Sequence, residues 1–502
     1  MNSIILPILI PLVVAVGCLF ARSSLKIQKL ISLIGASITF VLSCWILQHV
    51  YQHGITVLEI GSWKGPFGIV LVADLFSAIM LVISNLISLA VLVYSLTDVP
   101  KEIQQRFYFP LYQFLMVGVN GSFLTGDLFN LYVWFEVMLL SSFVLLALGQ
   151  KPSQLEGSIK YVSLNLFASI LFLSGLGILY GKLGTLNMAD IAYKLSNESD
   201  SMFINSSAIL FLAAFGIKAA VFPFFFWLPA SYHTPAVAIS AVFAGLLTKV
   251  GVYALIRSFT LFFVQDISFT HNLLLLIAAA TMITGVLGAA TQFEMRKILS
   301  FHIVSQIGYM ILGLALLTPL ALAGAIFYLV HHIVVKTNLF LISGIVIHKK
   351  GTDQLKKIGG LYQSAPFLSL LFFIPAFSLG GIPPLSGFWA KFSVLKAGLE
   401  IEAYAMVAVA LIVGILTLYS MTKIWAEAFW KSDPVTTSAE EHPDSKPQKY
   451  LLFSYSPVIA LALITLVIGF YTEPFFSLAQ MTAEQLLDSN EYINSVLGKE
   501  LP

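Results

Sequence analysis

Long apolar runs, separated by short polar links, dominate the chain from its first residues to about position 471. A spanning helix needs about 20 mostly apolar residues, because lipid offers the backbone no hydrogen-bond partners. Hydropathy and turn signals predict about fourteen such helices, at 3–21, 30–49, 69–96, 107–124, 127–149, 158–180, 207–228, 234–257, 272–291, 297–317, 320–347, 366–395, 402–429 and 451–471. The first run has no basic residue before it and reads as a spanning helix rather than a cleaved signal. The pattern therefore predicts an all-α membrane protein.

Two runs are interrupted. In IKAAVFPFFFWLPASYHTP, Pro223, Pro229 and Pro235 fall where the seventh helix should continue, and GGIPPLSG at 380–387 breaks the twelfth. Proline removes a backbone donor and clashes with the preceding turn. Irregular backbone at membrane depth is tolerated where it is buried in protein or lines a wet cavity. Paired broken helices in two halves of a chain point to a transport site on inverted repeats. Proline kinks that merely aid packing are the alternative reading, but each break has a lysine beside it. The expected organisation is 1–106 (helices one to three), 107–257 (first repeat), 272–429 (second repeat), a polar loop at 431–449, and 451–502 (last helix and tail).

Basic residues sharpen the topology. One set of alternate links holds Arg22, Lys26, Lys101, Arg106, Lys151, Arg296, Lys297, Lys349, Lys356 and Lys431, among others, while the opposite set holds little beyond Lys64, Lys182, Lys194 and Arg257. Positively charged links stay on the cytoplasmic side, which places both termini and the tail after Tyr471 outside and the 431–449 loop inside.

Composition adds exclusions. Hydrophobic residues make up 58% of the chain and charged ones 10%, against about 25% charged in soluble domains. A net charge of +2, with no basic cluster interleaved with aromatics, points to no nucleic-acid partner. Cys18 and Cys44 lie in apolar segments and show no metal or disulfide spacing. The stretch GILYGKL is one residue short of a phosphate loop and lacks its Ser/Thr, and no HExxH or CxxC occurs.

The chemistry resides in charges inside the apolar runs. Glu136 lies within DLFNLYVWFEVMLLSSF, Lys218 within FGIKAAVF, Lys249 within GLLTKVGVYAL, His332 and Lys336 within LVHHIVVKTNLF, and Lys391 within GFWAKFSVL. Each charge placed at the bilayer centre costs at least about 2.5–3.5 kcal/mol unless it faces a partner or water. Static ion pairs would explain such groups, but lysines outnumber carboxylates here, which favours groups that exchange protons. Buried lysine has accessible neutral and charged forms. His332 and Lys336 are four residues apart and share a helix face along which a proton can pass. His331 points elsewhere and reads as packing; His233 and His302, near helix ends, are weaker candidates; Asp74 and Asp127 read as interfacial anchors.

In this order the motifs resemble the antiporter-like proton-translocating family, comprising the membrane-arm subunits of respiratory complex I and the large subunits of Mrp-type (Mnh) sodium/proton antiporters. WFEVMLL matches the family's fifth helix, FGIKAAVFPFFFWLPASYHTPAVAISAVFAGLLTKVGVYALIR its broken seventh and eighth, FEMRKILSFHIVSQIGYMILG its tenth with the polar pair Ser305 and Gln306, HHIVVK its eleventh, and GGIPPLSGFWAKF its broken twelfth. Lysine at 249 and the phrases YVWFEVMLLSSF and SQIGYMILG look most like the D-type subunits of the Mrp branch. Tyr328 stands where some relatives have a further histidine, and the Lys-Thr-Asn at 336–338 is more polar than elsewhere in the family. The resemblance implies proton movement along a hydrated mid-membrane axis. Glu136 would bias the charge of Lys218, Lys249 and His332 would bridge the repeats, Lys336 would join the relay, and Lys391 would form the exit. It also implies a hetero-oligomer with other Mrp-type subunits in a bacterial plasma membrane, exchange for sodium or another monovalent cation, and no bound cofactor. A proton-pumping subunit of a complex I-like oxidoreductase or membrane hydrogenase shares the same motifs and is the alternative.

Overall fold

The computed structural model describes residues 2–434 and 448–498, most of them helical. Among these residues, twelve helices are long and apolar enough to cross a membrane. The difference from the expected fourteen lies in two places. Phe109–Leu124 has only 16 residues, and the 366–395 segment is divided into Pro366–Gly380 and Ser386–Glu400. Several helix starts follow from local chemistry. The side chains of Asp127, Asp200, Asp266 and Thr318 each accept from a backbone N–H three residues on, at 2.7–3.1 Å, supplying partners that the first turn otherwise lacks. Asp127 is thus a cap, and burial holds its carboxyl above the usual carboxylate range.

The helices differ sharply in what covers them. Within the most apolar window, Leu25–His53 is 33% buried, whereas Met295–Leu316 is 94% and Val237–Leu261 100% buried. A helix apolar all round and buried all round belongs to the core. Pro319–Lys350, 89% buried, completes that core, so the helices carrying Lys249, His302, His332 and Lys336 are the most enclosed of these spans.

At the first proline-rich run, helix Ser201–Ala219 ends at Ala220 (φ +59°), and helical structure resumes as Trp227–Ser231 and Val237–Val242. At the second, Pro366–Gly380 ends at Gly381 (φ +88°) and Ser386–Glu400 follows. Side chains take up carbonyls freed by these ends: the Trp227 indole donates to Ile217 O at 3.0 Å, and the Lys391 amine to Leu379 O at 2.9 Å. Such partners are what lipid-buried backbone needs.

Three segments differ from the hydropathy reading. Residues 70–73, expected at the start of a helix, form strand Val70–Ala73 paired antiparallel with Thr56–Glu59; the helix begins after Asp74. A short helix, Met188–Leu195, fills the link before the seventh run. The tail after Tyr471 forms two helices, Thr472–Leu487 and Ser489–Leu497, and Gln485 reaches back to accept from Leu75 N at 2.9 Å. Of the 431–449 loop, residues 435–447 lie outside the described residues.

Candidate functional site

Glu136 lies on helix Leu128–Ala147, half-buried, on a face turned to helix Pro152–Leu183. Ser169 of that second helix donates a short hydrogen bond to the Glu136 carboxylate. The Lys218 amine, in the last turn before the first break, donates to the same hydroxyl at 3.3 Å and sits 4.9 Å from the centre of the Phe135 ring. Acid and base therefore meet through a hydroxyl. Two features bring Lys218 there: its helix ends just beyond it, and Gly251 lets helix Val237–Leu261 approach. A Cβ on Gly251 would lie 2.6 Å from Ala219 N and 2.9 Å from the Lys218 carbonyl carbon.

Lys249, fully buried, follows a π-helical turn at Phe243–Leu247, and its amine donates to Ala244 O. A π-turn shifts the carbonyl ladder, a device frequent at functional sites. Across from it, Lys336 donates to Leu299 O at 3.1 Å. His332 is within electrostatic reach of Lys249, Lys336, His331 and His302. Both ring nitrogens of His332 and of His302 are buried with no hydrogen-bond partner among the described residues, as are Thr337 Oγ1 and both amide atoms of Asn338. Buried polar groups are otherwise nearly always paired, so unpaired atoms concentrated around two lysines mark a polar junction.

From this junction contacts continue to the second break. His331 Nδ1 shares a 2.8 Å hydrogen bond with Ser386 Oγ, which meets Ser378 Oγ at 3.1 Å. Lys391 donates to Leu379 O and Gly380 O at 2.9 and 3.3 Å and lies 5.2 Å from the Tyr309 ring centre. Gly387 makes the approach feasible, since a Cβ there would fall 1.8 Å from Ser378 O and 2.9 Å from His331 Cε1. Tyr328 stacks on Tyr309 at 5.4 Å and donates to Gln306 Oε1, placing one of the tenth-helix polar pair beside the junction.

Of the sequence candidates, Glu136 and Lys218 are joined through Ser169, and Lys249, His332 and Lys336 share the central junction. Lys391 stands at the second break. His233 lies apart: its Nδ1 bonds Pro229 O at 2.8 Å, and it lines a surface cavity of about 410 Å³ with Glu156, Lys160 and Lys297. Asp74 is more than an interfacial anchor, for it forms a buried ion pair with Arg257 at 2.5 Å. Sequence reasoning did not single out Ser169 or Ser386 and took His331 as packing; the adjacent pair His331 and His332, 100° apart on one helix, was the available signal for the last of these.

Residues 125–417 match the family described as NADH:quinone oxidoreductase/Mrp antiporter, transmembrane. The chain is 48% identical over 496 residues to the D-type subunit of the Na(+)/H(+) antiporter of Alkalihalophilus pseudofirmus, covering 99% of each, and 41% identical over 496 residues to that of Bacillus subtilis, again with 99% of each. Among solved structures it is similar to a chain of the Mrp complex from Dietzia sp., with a TM-score of 0.91 and 33% identity over 99% of this chain and 100% of that one. It is also similar to a chain of an archaeal membrane-bound sulfane sulfur reductase, with a TM-score of 0.92 and 26% identity over the same shares. The chain therefore belongs to the NADH:quinone oxidoreductase/Mrp antiporter transmembrane family, as a multi-pass membrane protein of the branch formed by the D-type subunits of Na(+)/H(+) antiporters.

Proposed function

We propose that this protein is a subunit of a multisubunit cation/proton antiporter in the bacterial plasma membrane, and that it moves protons in exchange for sodium alongside other Mrp-type subunits. The proton route runs from Glu136 through Ser169 to Lys218, on to Lys249, His332 and Lys336, and through His331 to Lys391. The observation that carries this reading is the Ser169 hydroxyl, which receives a hydrogen bond from Lys218 and gives one to Glu136. A hydroxyl that accepts from the base and donates to the acid can relay a proton between them, whereas a static ion pair needs only direct contact. The two repeats expected at 107–257 and 272–429 then meet at Lys249 and His332. Both termini face outside.

Everted vesicles from antiporter-deficient cells test this. With the complete subunit set, sodium addition dissipates an imposed pH gradient; the single chain alone does not support exchange. Robust exchange by the chain alone, or none with the full set, overturns the reading. Single cysteines after position 475 react with an impermeant reagent on intact cells, while cysteines within 435–447 do not; the opposite pattern reverses the topology. The likeness to a respiratory complex chain supports a second reading, a proton-pumping subunit of a complex I-like oxidoreductase or hydrogenase. Co-purification with iron–sulfur and quinone-site subunits selects it, whereas small antiporter subunits select the first.

A further inference from the structure

Helix Val237–Leu261, which carries Lys249, is held at each end by a carboxylate from one other helix, Leu75–Asp98, and its N-cap. At its start, Asp98 Oδ2 accepts from Ala238 N at 2.9 Å. The residue at the cap position, Ala236, has no side chain able to do this, so the carboxylate arrives from outside the segment. Arg296 lies within electrostatic reach of Asp98 and donates to Pro235 O at 2.8 Å, tying the same end to helix Met295–Leu316. At the far end, Arg257 Nη2 meets Asp74 Oδ2 at 2.5 Å, with both side chains nearly inaccessible (7% and 2%).

Neither partner of that pair is loose. Asp74 accepts from Ser77 N at 2.8 Å, and Ser77 Oγ accepts from Asp74 N at 2.9 Å. The guanidinium lies among the rings of Phe76, Tyr253 and Tyr492, at 5.8, 5.6 and 5.2 Å, and Phe76 stacks on Tyr253 at 4.7 Å. A buried charge pair is costly to assemble and is weak evidence for stability, so its retention calls for a purpose such as register. Between the two fixed ends lies the one irregular stretch of the helix, the π-turn Phe243–Leu247, with Lys249 just after it. A π-turn changes the rotation and rise of the helix beyond it, so the depth of Lys249 depends on where the helix ends are pinned.

We propose that Asp98 and Asp74 are positioning residues for Lys249: bound to opposite ends of its helix, they set its height and rotation between Lys218 and His332. This rests on the proton-translocating reading of the chain. In the assembled complex, Asp98→Ala removes the acceptor for Ala238 N, whereas Asp98→Asn keeps a carbonyl oxygen there. Asp98→Ala lowers maximal sodium-driven exchange per assembled complex about fivefold or more, the scale of one lost buried hydrogen bond, and displaces its pH profile. The sodium concentration for half-maximal rate stays unchanged, and Asp98→Asn remains within about twofold of wild type. A simple packing role would lower the amount of complex and leave the pH profile per complex alone. Wild-type turnover and pH profile for Asp98→Ala, or equal loss in both variants, overturns the proposal. If Asp98→Ala fails to assemble, the double variant Asp74→Asn with Arg257→Met decides: it removes the link between the helices, keeps an acceptor for Ser77 N and leaves no unpaired charge, and it must also displace the pH profile. Lys249→Ala is the control. Exchange that survives it defeats the translocation reading itself, whereas exchange lost in Lys249→Ala but normal in Asp98→Ala defeats only the clamp.

Discussion

The region around Lys218 and the region from Lys249 to Lys391 solve the burial of a lysine in opposite ways. At Lys218 the amine faces an acid through the Ser169 hydroxyl. In the second region every amine rests on backbone: Lys249 on Ala244 O, Lys336 on Leu299 O, Lys391 on Leu379 O and Gly380 O. Among the described residues no carboxylate lies within 4.0 Å of these three amines, although carboxylates pair with Lys160, Lys194 and Lys350 nearer the surfaces. An amine on a carbonyl keeps a donor contact whether charged or neutral, whereas an amine near a carboxylate is biased to its charged form. On the proposed proton route, the first region would set charge and the second would pass it on.

The largest expected effect tests the first half of that contrast. A fixed positive charge beside Glu136 is supplied equally by arginine, but arginine, with a pKa of about 12.5–13.8, does not release a proton. Lys218→Arg drops exchange per assembled complex by about a hundredfold or more, the usual scale for losing a proton-transfer group. Near-normal exchange would make Lys218 a structural charge. Glu136→Gln falls less, by about tenfold, because the lysine remains but loses the carboxylate that favours its charged form. Both are measured in the same vesicles, with assembly followed by co-purification.

Ser169 sharpens the comparison next. Ser169→Ala removes the link between acid and base while leaving both charges in place, and exchange falls by about two- to tenfold, the range of one hydrogen bond. Ser169→Thr, which keeps a hydroxyl, restores most of it. If Ser169→Ala is silent, Glu136 acts on Lys218 through space alone and the hydroxyl is only a helix-bonded serine.

That possibility explains why Ser169 was not legible in the sequence. Its single O–H can turn instead to Asn165 O, 3.1 Å away, the ordinary habit of a serine within a helix. Ser141, Ser158 and Ser174 do the same to the carbonyls four residues back, with nothing to mark them apart. The charges, by contrast, were legible one by one, since each stands in a run where its cost demands a reason. The helical class followed from run length alone. Strand Val70–Ala73 did not, because a short apolar stretch reads the same as a buried helix turn. Nor did the Asp98 and Asp74 contacts, which join positions 140 and 183 residues apart and depend on which helices pack together.

The smallest effect falls at the second break, where the comparison is most exposed to failure. His331 meets the Ser386 hydroxyl at 2.8 Å, and Ser386 meets Ser378. If this region passes charge without an acid to set it, no single hydroxyl is decisive, because carbonyl-bound lysines on either side remain in place. Ser386→Ala therefore lowers exchange only by about two- to threefold, within the net worth of one hydrogen bond, and leaves the pH profile where it was. His331→Ala lowers it further, since it removes the ring that meets the Ser386 hydroxyl and, on the proposed route, passes the proton towards Lys391. The decisive measurement is Ser386→Ala beside Ser169→Ala at equal complex abundance. A larger loss from Ser386→Ala than from Ser169→Ala inverts the assignment: the step that sets charge would then lie at the His331–Ser386 contact, and the acid at Glu136 would be an accessory to it.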